Sequence, residues 1–385
     1  MKVLSILPFP VLPLTHGGRV RAYRLAVGLA RAGAQVDLSC PWRPGLPLHP
    51  FERDGITIRP FVFAANLLPA LLGDRILSPL LQLSGQPLTL GPRRLLRQCR
   101  LYDVVEFHFC AYASWMGRVA TDTRVVYSAH NVELDYALAE PSSRLRRMLG
   151  RQIGRLERRA VRASDLVVAC TEADGKRLAQ LYGGLPGLAV VSNGFDESEI
   201  WEMEHPGREE MRSELGLKEE ELAILFIGGP ALHNRRAVQF LEEELLPRID
   251  RPARLVVAGE CARPRRQGRM LALGHVARLP PLLAAVDVAV NPVESGSGSN
   301  VKLAEYLAAG VPVVTTLVGL RGYEAFAHLV TVAELDEFVD AVRAKQHRVV
   351  ERRHEVAELS WSALGQRLYA VYADLLAQRP RSRSS

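Results

Sequence analysis

The chain has 385 residues, 48% of them hydrophobic and 24% charged, with a net charge of +7. That length favours two domains over one core, and no run of 18 apolar residues is present to cross a bilayer. Five scattered cysteines (Cys40, Cys99, Cys110, Cys170 and Cys261) without a CxxC pair point away from a disulfide framework or a zinc site and towards a reducing cytoplasm. The start, MKVLSILPFP, is interrupted by proline too early for a signal peptide. Charge is uneven: residues 1–180 carry 25 Lys+Arg against 14 Asp+Glu, whereas the remainder carries 24 against 28. A basic first half favours an acidic partner, such as anionic lipid, a phosphorylated acceptor or nucleic acid.

In chain order, the apolar run 2–7 predicts a buried strand that leads into a proline-rich loop closed by Gly17 and Gly18. Val20, Tyr23, Val27 and Ala30 then recur at helical spacing, with Gly33 as terminator and a strand over 34–40. Strand, glycine loop, helix and strand open a doubly wound sheet, in which ligands lie at the carboxyl ends of strands. Arg19 and Arg21 fall in the first helical turn, either on a solvated face or as acceptor-side groups. Further strands are predicted at 55–63, 103–109, 124–130 and 165–171. The Leu-rich segment 67–90 between them reads as short covering helices. His108, His130 and Cys170–Thr171 end three successive strands, so one sheet edge collects polar groups. Each histidine is either structural or functional. His130, followed by Asn131 and Glu133, is the stronger functional candidate.

Residues 142–163 predict a basic amphipathic helix whose apolar stripe is Leu145, Met148, Leu149, Ile153 and Leu156. Its eight arginines form either a solvated face or an adhesive surface for acidic membrane. After a strand at 187–196 the composition turns acidic, which places a boundary near residue 205. A second alternation follows: a strand at 221–229, a helix at 235–246, and strands at 254–260, near 270–275 and at 287–293. The stretch SGSGSNVKLAEYLAAGVPVV (295–314) comes next. A strand at 328–332, a helix from Glu334 and a last helix at 361–378 complete the pattern, and 379–385 reads as a disordered tail.

Residues 295–314 carry the clearest chemistry. A glycine–serine loop feeds a helix N-terminus, where unpaired N–H groups and the dipole make an anion site. Lys302 in the first turn opposes that dipole unless an anion sits there. Glu305, one turn on, can reach neutral hydroxyls beside the anion. Phosphate plus polyol is what a sugar nucleotide offers.

In this order and spacing, HGGRVRAYRLAVGLARAGAQVDL (16–38), SAHNVE (128–133), VSNGFD (191–196), GHVARL…DVAVNPV (274–293) and SGSGSNVKLAEYLAAGVPVVTT (295–316) resemble the retaining, nucleotide-sugar-dependent glycosyltransferases of family 4 (glycosyl transferases group 1). The resemblance covers nearly the whole chain. It implies an α/β, GT-B fold of two Rossmann-like doubly wound domains facing a central cleft, which closure would dry. The first domain would span 1–205 on the acceptor side and the second 206–360 on the nucleotide-sugar side, with helix 361–378 crossing back. It further implies Glu305 on the ribose hydroxyls and the loop Gly296–Asn300 (with Ser297, Gly298 and Ser299) at the donor diphosphate and sugar. Gly17 and Gly18 would approach the diphosphate, His130 would be the catalytic candidate at the donor sugar, and Asn193–Asp196 would form a hinge turn. Arg19, Arg21, His108 and Asn131 are the acceptor-side candidates.

The chain departs from the family pattern in two places. The family often has two glutamates eight residues apart, and eight before Glu305 stands Ser297; Glu294 is the alternative. The usual Arg/Lys pair after the first strand of the second domain is replaced by His233, Asn234 and Arg235, so Lys302 is expected to supply the phosphate charge. No cofactor and no metal are expected, the co-substrate being a nucleoside-diphosphate sugar. The acceptor would be a glycan, glycolipid or small molecule, and the location cytoplasmic, with peripheral attachment at the inner face of the membrane as an alternative. No nucleic-acid partner is expected. A silent sugar-nucleotide-binding protein, a nonhydrolysing epimerase and a basic nucleic-acid or membrane binder are the rival readings.

Overall fold

A computed structural model of the chain describes residues 1–62, 91–138, 144–202, 207–296, 298–344 and 353–378. The Leu-rich segment 67–90, Ser297, the tail 379–385 and the side chains of Leu145, Met148 and Leu149 lie outside the described residues. The chain divides into two compact units, Met1–Ser192 with Trp361–Ser385, and Asn193–Ser360. The division falls at Asn193 rather than near residue 205 because Phe195 bridges to Ser360 and the Asn193 amide donates to Ser299, which tie these residues to the second unit.

The first unit is built on the strands β1 (Lys2–Ile6), β2 (Gln35–Pro41), β3 (Phe51–Arg53), β4 (Ile56–Phe61), β5 (Val104–His108), β6 (Arg124–Ala129), β7 (Leu166–Ala169) and β8 (Leu188–Val190). They lie in the order β3-β4-β2-β1-β5-β6-β7-β8, parallel except for the β3–β4 hairpin. The central strands are apolar on both faces, as strands covered by helices on both sides must be. Two clusters on opposite faces, one around Val3, Val36 and Val104 and one around Leu4, Val105 and Val125, form the core. The hairpin at the edge, FER, is short and charged. It blunts that edge and carries no apolar period by which the sequence could reveal it.

The second unit repeats the plan with β9 (Leu222–Ile227), β10 (Ala253–Ala258), β11 (Arg265–Gln267), β12 (Met270–Gly274), β13 (Val288–Asn291), β14 (Val313–Thr315) and β15 (Thr331–Val332). Their order is β11-β12-β10-β9-β13-β14-β15, again parallel except for one edge hairpin, β11–β12. In each sheet the strand order reverses beside the first strand: between β1 and β5, and between β9 and β13. These two places are the topological switch points at which open α/β sheets bind ligands.

Several predicted bounds shift. The first helix runs Gly17–Arg31, so Gly17 and Gly18 open it instead of closing the loop, and Gly33 follows it at φ +99°. The helix expected at 235–246 begins at Leu232. The strand expected at 328–332 shrinks to Thr331–Val332 because Glu324–Leu329 is a 3-10 turn, and the helix expected from Glu334 begins at Phe338. The last helix, Trp361–Ala377, packs Trp361, Leu364, Leu368, Tyr372 and Leu375 into the core of the first unit. It crosses helix Gly17–Arg31 with Gly28 against Gly365. A Cβ on Gly28 would stand 2.5 Å from the Trp361 carbonyl oxygen, so the backbones touch only because both residues lack one.

Candidate functional site

Each unit gathers polar groups at the carboxyl end of its own switch point. In the first, β5 ends on His108 and β6 delivers His130 just past Ala129. His108 Nδ1 lies 2.9 Å from His130 Nε2, and His108 Nε2 lies 2.7 Å from the Ser5 hydroxyl, which donates to Glu106 Oε2 at 3.0 Å. All four side chains are buried. Burial pushes the Glu106 carboxyl up, but His108 and the hydroxyls of Ser128 and Ser5 more than offset this and hold it down to about 2. Burial, followed by His108, Arg21 and His16, pushes the His130 imidazole well below its ordinary range, towards the neutral form. Phe109 stacks on His130 with ring centroids 4.2 Å apart. It does so from φ +64°, a left-handed conformation rare for a bulky residue. The same ring explains Gly18, where a Cβ would come within 3.0 Å of Phe109 Cζ.

Three of the acceptor-side candidates are buried rather than solvated. Arg19 and Arg21 are each 1% exposed. Arg21 donates to the carbonyls of Ser192 and Val191 at 2.8 and 2.7 Å, and Arg19 to the Pro13 carbonyl and the Thr15 hydroxyl, so both guanidinium groups hold backbone in place. His108, also 1% exposed, stands behind His130 rather than facing an acceptor. Asn131 is half-buried and its side chain bonds Glu133. Cys170 donates to the carbonyls of Ala129 and His130, and Thr171 caps the next helix; both are structural.

The turn that presents His130 is held from below by a residue the sequence did not single out. Glu157 accepts from the backbone N–H groups of Glu133 (2.7 Å) and Leu134 (3.2 Å) and from the hydroxyls of Tyr127 and Tyr182. It sits in the arginine-rich helix Arg144–Ala163, the lone acid among cations, and that was its only signal. Burial and this neighbouring carboxylate push Glu133 up to about 8.

In the second unit, β13 ends at Asn291 and the loop runs past exposed Glu294 and Gly296 (φ +133°) to Asn300, the N-cap of helix Val301–Ala308. Side chains fix this loop from three directions. Asn193 donates to the Ser299 hydroxyl from its backbone (3.1 Å) and to the Ser299 carbonyl from its amide (2.8 Å). Arg321 donates to the Gly298 carbonyl (3.0 Å), and Asn300 to that of Gly319 (3.0 Å). Arg321 and Gly319 were illegible beforehand, because neither belongs to a motif and only the fold returns them to the loop.

Lys302 turns back from the helix start to the first βα junction of this unit. Its ammonium lies 3.2 Å from Asn234 Oδ1 and 4.1 Å from the centre of the Phe226 ring. It is 6% exposed, and among the described residues no carboxylate pairs with it. Burial pushes its amine down to about 7. Asn234 is itself fixed, donating to the Gly229 carbonyl, whereas Arg235 is exposed on the next position. The lysine thus occupies the place after β9 where the sequence lacks the expected Arg/Lys pair. Glu305, one turn along, is half-buried. No cluster of His, Cys, Asp or Glu that could hold a metal ion occurs among the described residues.

Residues 15–199 match the profile of Glycosyltransferase Family 4, and residues 221–345 that of glycosyl transferases group 1. The D-inositol 3-phosphate glycosyltransferase of Kineococcus radiotolerans is 29% identical over 333 residues, spanning 79% of this chain and 73% of the relative. Sucrose-phosphate synthase from Thermosynechococcus elongatus matches with a TM-score of 0.74 at 14% identity, over 98% of this chain and 100% of its own. Anabaena HepE in complex with UDP and glucose matches at 0.61 and 15% identity, over 98% and 97%. At these identities the solved structures establish the fold: two Rossmann-like α/β domains of the GT-B type. The two profiles fall in order along the chain, one on each sheet, and the protein belongs to the family 4 glycosyltransferases.

Proposed function

We propose that this glycosyltransferase moves a sugar from a nucleoside diphosphate to an acceptor hydroxyl with retention of anomeric configuration, in the synthesis of a cell-surface polysaccharide or glycolipid. The observation that carries the reading is Lys302, a buried cation beside a glycine loop held by three sets of side chains. A buried charge without a counter-charge is costly, and a bound diphosphate would supply one. The loop N–H groups and the ammonium then stabilise the leaving diphosphate as the glycosidic bond loosens. The acceptor oxygen bonds to the anomeric carbon on the face the diphosphate leaves, and the acceptor proton passes to that diphosphate, which retains configuration. Glu305 binds the ribose hydroxyls and His130 the donor sugar. Neither a metal nor a cofactor takes part. The HepE complex with UDP and glucose supports the donor class.

The acceptor side is read from charge. Arg151, Arg155, Arg158, Arg159 and Arg162 are exposed along helix Arg144–Ala163. This favours a lipid-linked acceptor approached at an anionic membrane surface. No helix among the described residues is long and apolar enough to cross a membrane.

Thermal melting in the presence of UDP-, GDP- and ADP-sugars tests the donor. At a hundred times its dissociation constant the correct donor stabilises the fold by about 2.7 kcal/mol, and product analysis by NMR then reads the anomeric configuration. Failure of every nucleotide sugar to raise Tm would sink the proposal. A rise without product would identify a binding protein.

A further inference from the structure

Glu106, Ser5 and His108 are buried, polar and unused by the chemistry above, yet they stand in line behind His130. The direction of each hydrogen bond in that line is dictated by the carboxylate at its far end. An ionised carboxylate only accepts, so the Ser5 hydroxyl spends its proton on Glu106 Oε2. Its oxygen therefore meets His108 Nε2 with a lone pair, and Nε2 must carry a hydrogen. In neutral His108 the other nitrogen then holds the lone pair, and across the 2.9 Å contact His130 Nε2 has to be the donor.

We propose that Glu106, Ser5 and His108 are positioning residues that fix His130 as its Nε2–H tautomer, so that its Nδ1 accepts a hydrogen bond from a hydroxyl of the donor sugar. This rests on the reading of His130 as a donor-sugar contact. Hydrogen bonds from Ser5 and its other neighbours favour the ionised form of Glu106, so the anchor of the chain accepts. Packing holds the His130 ring: Phe109 stacks on it and meets Phe9 edge-on, and Phe9 meets His16 in the same way. Protonation of His108 reverses the last bond. Its Nδ1–H then donates to His130 Nε2, and His130 becomes an Nδ1–H donor that cannot accept from a hydroxyl. Among the described residues, Glu106 faces His108, Arg21 and His16 face His130, and Tyr372 lies beside Glu106 and Arg21.

The test is long-range ¹H–¹⁵N NMR of the ligand-free protein labelled on histidine, at a pH well above the ordinary histidine value of about 6.5. The expected result is a protonated Nε2 and an unprotonated Nδ1 on His130; an Nδ1–H tautomer there overturns the proposal. In Glu106→Gln the amide can donate as well as accept, so the direction is no longer imposed and a mixture of tautomers is expected. A wrong histidine tautomer costs triad hydrolases about 10⁴ in kcat. His130 here binds rather than carries a proton, so a loss of about 10–100-fold in kcat/KM is expected, the range for outer-shell changes. Affinity for the bare nucleoside diphosphate should not change. A Glu106→Gln protein that keeps both the tautomer and the activity also overturns the proposal, and if that variant does not fold the measurement on the unaltered protein decides alone. The expected tautomer in a protein that transfers no sugar would refute the transferase reading and leave the relay standing; transfer with the opposite tautomer would do the reverse.

Discussion

At the switch point of the first unit a buried carboxylate, Glu106, faces two histidines through a serine hydroxyl; at that of the second a buried lysine, Lys302, faces an amide and an aromatic ring. Both clusters hold charge away from water. The first satisfies its carboxylate and orders its hydrogen bonds from within, whereas the second holds an amine whose charged form carries a desolvation cost. The difference teaches that the two sheets, alike in topology, divide the work. On the proposed function, one would present a preset hydrogen-bonding surface, and the other a site whose stability depends on its ligand.

Removing the lysine is the strongest way to break this contrast. Lys302→Met should lower kcat/KM by about 10²–10³-fold, the usual cost of deleting a group that stabilises developing charge. It should also raise the Tm of the ligand-free protein, since a thioether of similar length carries no desolvation cost. Steady-state kinetics and melting on one preparation check both; a fall in Tm would mean that the cation is already satisfied.

The glycine crossing of the first unit is the next in size. Gly28→Ala, whose new carbon would stand 2.5 Å from a carbonyl oxygen, should destabilise that unit by about 3 kcal/mol or more. In urea unfolding the first unit's transition should move to lower concentration while the second unit keeps its midpoint; a common shift of both would mean that the two unfold together.

Glu305→Gln should weaken nucleoside diphosphate binding by about 1.5–3 kcal/mol, the worth of a hydrogen bond to a charged group, and leave inorganic pyrophosphate binding unchanged. Calorimetry with both ligands separates ribose from phosphate recognition, and equal losses for the two would place Glu305 on the phosphates.

Lys302 also predicts a pH dependence, gradual per pH unit. Burial takes the Lys302 amine from 10.5 to about 7. Between those values the unfolded chain holds a proton that the folded chain lacks, so ligand-free stability rises with pH, at about 1.4 kcal/mol per unit at most. Below about 7 both states hold it and the cost of burial is fully present. Donor binding restores the charge, so above pH 7 it should take up close to one proton, and the donor KM should climb. Calorimetry in buffers of different ionisation enthalpy reads the uptake, and binding without proton exchange would remove Lys302 from the site.

Much of this was legible in the sequence because apolar runs such as AILFI and VAV leave few options except buried parallel strands. The loop before Val301 was legible for the same kind of reason: glycine, an N-terminal lysine and a proline stop are local signals. Burial was not. Arg19 and Arg21 read as solvated or acceptor-side because charge usually faces water, and only the carbonyls of Pro13, Val191 and Ser192, two of them far along the chain, explain their enclosure. His108 read as a strand-end histidine, structural or on the acceptor side; the Glu106–Ser5 pair beside it comes from β1 and its own strand. The hairpins β3–β4 and β11–β12 escaped because FER and RRQ have no apolar period to detect.

The last helix has a consequence for how the protein is made. Trp361, Leu368 and Tyr372 complete the core that Val3 and Leu29 begin, although the whole of Asn193–Ser360 is synthesised between them. On the ribosome the second unit can close while the first still lacks one wall. A message truncated just before Trp361 therefore yields a polypeptide with one finished sheet and one open apolar face, the kind of surface that chaperones and proteases recognise.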